Sequence, residues 1–140
     1  MTKAGQGENA PVKAEPRRRL RVLCSDDDKH IGDMLKHVLQ SAGHYVELAE
    51  DGQSALQHIT DGKLFDVLVT DHEMPVLTGL RLVERLRALG FPGKIIVHCS
   101  ELRPKEAAAF NALAVDHIIR KFVRLDDFLS VIQRLGNVAP

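Results

Sequence analysis

The feature that most constrains the fold is an alternation. From Leu20 onward, short apolar runs take turns with longer stretches of helical period. Apolar runs of four to six residues read as buried strands, and spacings of three and four residues read as helices with one face turned inward. Arg21 to Ser25 is a strand candidate, and Ile31, Met34, Leu35, Val38 and Leu39 follow on one helical face. Gly43 stands where a helix stop belongs, Tyr45 to Ala49 is a short second strand, and Ala55, Leu56 and Ile59 mark a second helix between Asp51-Gly52 and Asp61-Gly62. Phe65 to Thr70 is a third strand, with Leu80, Val83 and Leu86 or Arg87 behind it. Gly90-Phe91-Pro92-Gly93 breaks the chain before a fourth strand, Ile95 to Cys99. An alanine-rich helix from Pro104 to Ala112, a brief fifth strand at Ile118-Ile119 and a last helix beginning at Asp126 or Asp127 complete the pattern. Five βα units with right-handed crossovers predict an α/β fold, an open parallel sheet with helices on both faces and its site at the strands' carboxyl ends.

Composition sets the boundaries. With 140 residues there is room for one domain and not for a separate output domain. Residues 1–18 are rich in Gly, Pro and charge and nearly devoid of apolar side chains, so they are expected to form a disordered arm ahead of a domain at 19–136, with 137–140 as a tail. Lys3, Lys13, Arg17, Arg18 and Arg19 against Glu8 and Glu15 give residues 1–19 a charge of +3, which leaves −3 on the remainder of a chain that is neutral overall. No whole-molecule field therefore argues for nucleic acid or a membrane surface, and the Arg17 to Arg19 run reads as solubilising. Cys24 and Cys99 sit in strand-like runs without redox or metal spacing and are expected to be reduced core residues. The absence of a spanning apolar stretch or a leader-like apolar segment predicts a cytoplasmic location.

The chemistry concentrates at two strand ends. Asp26, Asp27 and Asp28 follow the first strand and Asp71 follows the third. Strands one and three are expected to be neighbours, which would bring Asp26, Asp27 and Asp71 together. Carboxylates held that close repel unless a hard divalent cation such as Mg²⁺, or Mn²⁺, takes them as oxygen ligands. Asp28 is better explained as the N-cap of the helix that follows. His72 could touch the metal or modulate dephosphorylation, although a lone histidine on a site rim is more often incidental. The seven histidines form no i, i+4 or H-x-H set that would favour zinc.

Val-Leu-Cys-Ser-Asp26-Asp27-Asp28, Asp66-Val-Leu-Val-Thr-Asp71-His-Glu-Met74-Pro75 and Thr78-Gly79-Leu80 resemble the response-regulator receiver family of two-component systems, over about Leu20 to Leu135. The resemblance implies a flavodoxin-like sheet of strand order 2-1-3-4-5, with Asp71 as phosphoacceptor and Asp27 bound directly to Mg²⁺. Asp26 would assist and Glu73 would add its main-chain carbonyl. It implies a histidine kinase or histidine phosphotransfer protein as donor and a downstream protein target. It also implies a monomer or phosphorylation-dependent dimer, and no enzymatic activity beyond the protein's own phosphorylation and dephosphorylation. Three positions depart from the family pattern. A hydroxyl residue is usual at the end of strand four, where Cys99 aligns and Ser100, the better donor, comes one residue later. A lysine is usual at the end of strand five, where an ungapped match offers Arg120 and a one-residue slip offers Lys121, the chemically favoured choice. His117 takes the place of an aromatic switch residue. These substitutions keep alive an alternative, a receiver-like protein-binding module that works without efficient phosphorylation. A phosphatase with an aspartyl nucleophile would want a second aspartate where Glu73 stands.

Overall fold

The structure, a computed structural model, describes residues 18–136. Of the arm expected at 1–18, all but Arg18 lies outside the described residues, as does the tail expected at 137–140. Among the described residues five strands, β1 (Arg21–Ser25), β2 (Tyr45–Ala49), β3 (Val67–Thr70), β4 (Lys94–Cys99) and β5 (His117–Arg120), alternate with five helices. The helices are α1 (Lys29–Ser41), α2 (Gly52–Thr60), α3 (Gly79–Ala88), α4 (Pro104–Ala112) and α5 (Leu125–Gly136). All strand pairs are parallel and the sheet order is β2-β1-β3-β4-β5, as the alternation and the resemblance implied.

Strand periodicity divides the interior in two. Leu23, Leu68, Ile95 and Val97 face Ala55 and Leu56 of α2, Leu82, Val83 and Leu86 of α3, and Phe110 of α4. Val22, Cys24, Val67, Val69, Ile96 and Ile119 face Leu35 and Leu39 of α1 and Phe128 and Ile132 of α5. Successive residues point to opposite faces, so a strand covered on both sides must be apolar throughout, and Val22, Leu23 and Cys24 are all at most 1% exposed.

Local chemistry ends the elements where the sequence indicated. Asp28 caps α1 by accepting from His30 N and Ile31 N, and Gly43 follows that helix with φ of 97°, a left-handed conformation open to glycine. Some details differ from expectation: β4 begins at Lys94 and β5 runs from His117 to Arg120, each longer than the sequence marked. β3 starts at Val67 rather than Phe65, although Asp66 N still donates to Arg21 O and Lys94 N to Asp66 O. The buried stripe of α3 is Leu82, Val83 and Leu86, with Leu80 only half-buried. α5 begins at Leu125. Arg18 and Arg19 are also more than solubilising: Arg18 pairs with Asp66 at 3.1 Å, and Arg19 donates to Gly43 O and to the Tyr45 hydroxyl while its guanidinium lies 4.9 Å from that ring's centre. The last residues before β1 are thereby tied to the amino end of the sheet.

Candidate functional site

Register brings the carboxylates level. Ser25 of β1 pairs with Thr70 of β3, so the next residues, Asp26 and Asp71, leave adjacent strands side by side. Asp26 N donates to Ala49 O and Asp71 N to Ser25 O, which extends both ladders by one residue past the strand ends. Oxygen atoms of Asp26, Asp27 and Asp71 lie within 4.8 Å of one another. Asp26 and Asp71 are each 6% exposed, and Asp27 stands open at the rim.

Among the described residues one cation answers them. Lys121 Nζ lies 3.0 Å from Asp71 Oδ2, to which it donates, and 3.1 Å from Asp26 Oδ2. The contact to Asp26 lacks hydrogen-bond alignment, so Asp26 Oδ2 remains a buried oxygen without a hydrogen-bond partner. Burial raises the Asp26 pKa, and the Asp28 amide and Lys121 offset this only in part. For Lys121 burial works against the charge, but the two carboxylates outweigh it and its pKa is raised. Asp71 Oδ1 accepts from His72 N at 2.8 Å.

The open choice at strand five resolves to Lys121 without any slip. Arg120 pairs with Cys99 in the ladder and its side chain is exposed, whereas Lys121 N donates to Cys99 O just past the strand. Lys121 stands two residues beyond Ile119, as Asp71 stands beyond Val69 and Asp26 beyond Cys24, and all three of these preceding residues belong to the α1/α5 cluster. Strand alternation alone sends the three side chains to one face, so the expectation that Lys121 needed a slip to point inward is corrected. At strand four it is Cys99, 3% exposed, that lies near the site, and Ser100 is exposed. Burial first and the Asp71 charge second raise the Cys99 thiol pKa. Ser100, the chemically better donor, is thus not brought into the pocket. Cys24 is also buried and free, with its thiol pushed up to about 12 by burial and the charge of Asp26. His117 is half-buried at the start of β5, level with Ile96.

Two residues were not anticipated. Thr70 pairs with Val97, which sets Asp71 level with His98, and His98 is buried with Nδ1 unmatched and its ring 5.5 Å from that of Phe128. Burial and the Lys121 charge lower its pKa to about 4 against a smaller opposing pull from Asp71. A histidine inside an otherwise apolar strand was the available signal. Glu106 is the second: its Oε2 lies 3.0 Å from His72 Nε2, so His72 pairs with α4. The partners are 34 residues apart, and no local pattern could join them. The Glu73 carboxylate groups with His72 and Glu106.

The donor set suits a hard divalent ion. Three clustered carboxylates, one with a buried unmatched oxygen, match the all-oxygen coordination of Mg²⁺ or Mn²⁺.

Comparison with known proteins agrees with this geometry. The profile of the response regulator receiver domain matches residues 22–133. Response regulator MprA of Mycobacterium leprae is 33% identical over 116 residues, which cover 83% of this chain and 50% of that protein. Transcriptional regulatory protein DltR of Streptococcus agalactiae is 29% identical over 133 residues, covering 85% and 59%. The chain thus spans little more than half the length of these relatives. Among solved structures, chemotaxis protein CheY4 of Vibrio cholerae superposes with a TM-score of 0.77 at 31% identity, over 84% of this chain and 99% of that one. The response regulator TrrA of Thermotoga maritima, solved in complex with Mg(2+)-BeF, gives 0.73 at 28% identity over 82% and 97%. The chain belongs to the response regulator receiver domain family and is a receiver domain of two-component signalling.

Proposed function

We propose that Asp71 accepts a phosphoryl group from a histidine kinase or histidine phosphotransfer protein, and that the phosphorylated domain signals to a downstream protein by a change of shape. The observation that carries this reading is the convergence of Asp26, Asp27 and Asp71 with Lys121 at the carboxyl edge of β1 and β3.

In the step itself an Asp71 carboxylate oxygen forms a bond to phosphorus while the phosphorus–nitrogen bond of the donor phosphohistidine breaks, and the imidazole leaves with the electron pair. Asp26, Asp27, Asp71 and the main-chain carbonyl of Glu73 would hold Mg²⁺, which supplies charge neutralisation and alignment when bound. Lys121 neutralises negative charge on the phosphoryl oxygens, its ammonium already directed at Asp71. The His72 amide holds Asp71 Oδ1 and so orients the attacking carboxylate. Hydrolysis of the acyl phosphate resets the domain, which is otherwise not an enzyme. His117 is proposed as the side chain whose rearrangement follows phosphorylation, in a cytoplasmic protein that is a monomer or dimerises on phosphorylation.

Intact mass after incubation with Mg²⁺ and acetyl phosphate tests this. A phosphoryl increment that requires Mg²⁺ and is absent in Asp71→Asn is the expected result. A folded, Mg²⁺-binding protein that gains no mass would instead support a protein-binding module, with the Cys99 thiol in place of a better donor as the physical reason.

A further inference from the structure

Beside the aspartate cluster lies a second group of ligand-bearing side chains, and the phosphotransfer scheme uses none of their side-chain atoms. His72 is 6% exposed, and its ring stands edge-on to Phe110 of α4, 5.3 Å between centres at 85°. Its Nε2 meets Glu106 Oε2 at 3.0 Å. Glu106 is itself held: its Oε1 accepts from Arg103 N at 2.9 Å, and this bond, followed by the contact with His72, lowers its pKa. Glu73 contributes an exposed carboxylate, and one ligand atom from each of His72, Glu73 and Glu106 falls within 4.8 Å of the others. Two donors come from the loop after β3 and the third from α4.

We propose that His72, Glu73 and Glu106 bind a divalent ion of the zinc class, at a site distinct from the hard-ion cluster of Asp26, Asp27 and Asp71. The argument rests on donor type and on rigidity. An imidazole with two carboxylates is a three-ligand set that suits zinc-like ions and leaves a fourth position for water, whereas an all-carboxylate set suits Mg²⁺. Two of the donors are already positioned, His72 by Phe110 and Glu106 by the Arg103 amide, so binding has only the exposed Glu73 side chain to order. Two ionised carboxylates share this corner with a single histidine, and an ion would relieve their repulsion.

Binding has a definite proton requirement. The ion needs the Nε2 lone pair, so the ring proton of the neutral imidazole must sit on Nδ1, and the contacts from Nε2 to Glu106 and from Leu80 N to Nδ1 are given up. The latter contact is 3.4 Å long and is the weakest that His72 makes. In exchange, coordinate bonds replace the hydrogen bond between the β3–α3 loop and α4. Because His72 N also donates to Asp71 Oδ1, the ion would fasten α4 to the residue that holds the phosphoacceptor. The site stands or falls independently of phosphorylation.

Co²⁺, a visible-light reporter for zinc sites, tests the inference in the full chain with excess Mg²⁺ present to fill the aspartate cluster. The expected result is one saturable equivalent with a visible absorption band, displaced by Zn²⁺ and not by further Mg²⁺. His72→Ala should abolish the band. Glu73→Gln, at an exposed position where folding is not at stake, should weaken binding by roughly tenfold or more, the scale seen even for residues that only support a metal ligand. Asp27→Asn should leave the band intact. No saturable equivalent in the wild type, equal binding by Glu73→Gln and wild type, or loss of the band in Asp27→Asn instead would each overturn the proposal.

Discussion

The two halves of the site are built differently. β1 and β3 lie inside the sheet, each with a hydrogen-bonded neighbour on either side, and they deliver Asp26 and Asp71 one residue past a paired position. β5 lies at the edge with one neighbour, has four residues of which only Ile119 is buried, and delivers Lys121 from the turn that follows. The acidic half is thus positioned by strands paired on both sides and the cationic half by a short strand paired on one.

The comparison breaks most easily at Lys121. Lys121→Ala should slow phosphorylation by acetyl phosphate about 100-fold, the usual loss when one charge-stabilising group is removed from a reacting centre. Arg120→Ala should change the rate by less than about threefold, since its side chain is exposed. Time courses of intact mass decide this, and a larger effect at Arg120 would reverse the assignment. On the acidic side, Gly79→Ala probes how tightly the β3 loop is packed. A methyl there would sit 2.1 Å from Asp71 O and 2.8 Å from His72 Cα, both backbone atoms. A loss of about 3 kcal/mol in urea denaturation is expected.

The next effect is one of pH. His98 has its folded pKa lowered to about 4 from 6.5, so the unfolded chain binds the proton more readily. The neutral buried ring therefore adds no penalty above pH 6.5, and stability falls as the pH drops from there toward 4. The His98 contribution to that fall reaches up to about 3 kcal/mol. Urea midpoints at pH 7 and 4.5 should converge in His98→Leu relative to the wild type, even though the lowered pKa of His44 adds a smaller loss of the same sign in both. The smallest change concerns strand four. Cys99→Ser should speed phosphorylation by roughly 3–10-fold, because a hydroxyl donates better to charged oxygens than a thiol. Ser100→Ala should leave the same time course unaltered.

Legibility in the sequence followed the same division. The order of elements, the cap at Asp28 and the meeting of Asp26, Asp27 and Asp71 could be read from periodicity and strand order, because central parallel strands allow little freedom of register. Lys121 is favoured over Arg120 by its chemistry, and counting in twos from Ile119 reaches it without a slip; a residue past the end of a strand is one to which alternation is not usually extended. Cys99 over Ser100 turned on where β4 ends, and strand ends are poorly marked by composition. The pairing of His72 with Glu106 was out of reach, since it depends on how α4 packs beside the loop after β3.

The ties of Arg18 and Arg19 to the amino end of the sheet have a mechanical consequence. They fix the point at which the polypeptide enters β1, a central strand parallel to both neighbours. Tension applied ahead of Arg18 along the strand axis therefore loads β1 in shear, with the hydrogen bonds to β2 and β3 resisting together instead of peeling one at a time. The pull is applied at the end of the strand remote from Asp26, about 16 Å away at 3.3 Å per residue. A tether at this end leaves the carboxyl edge unencumbered.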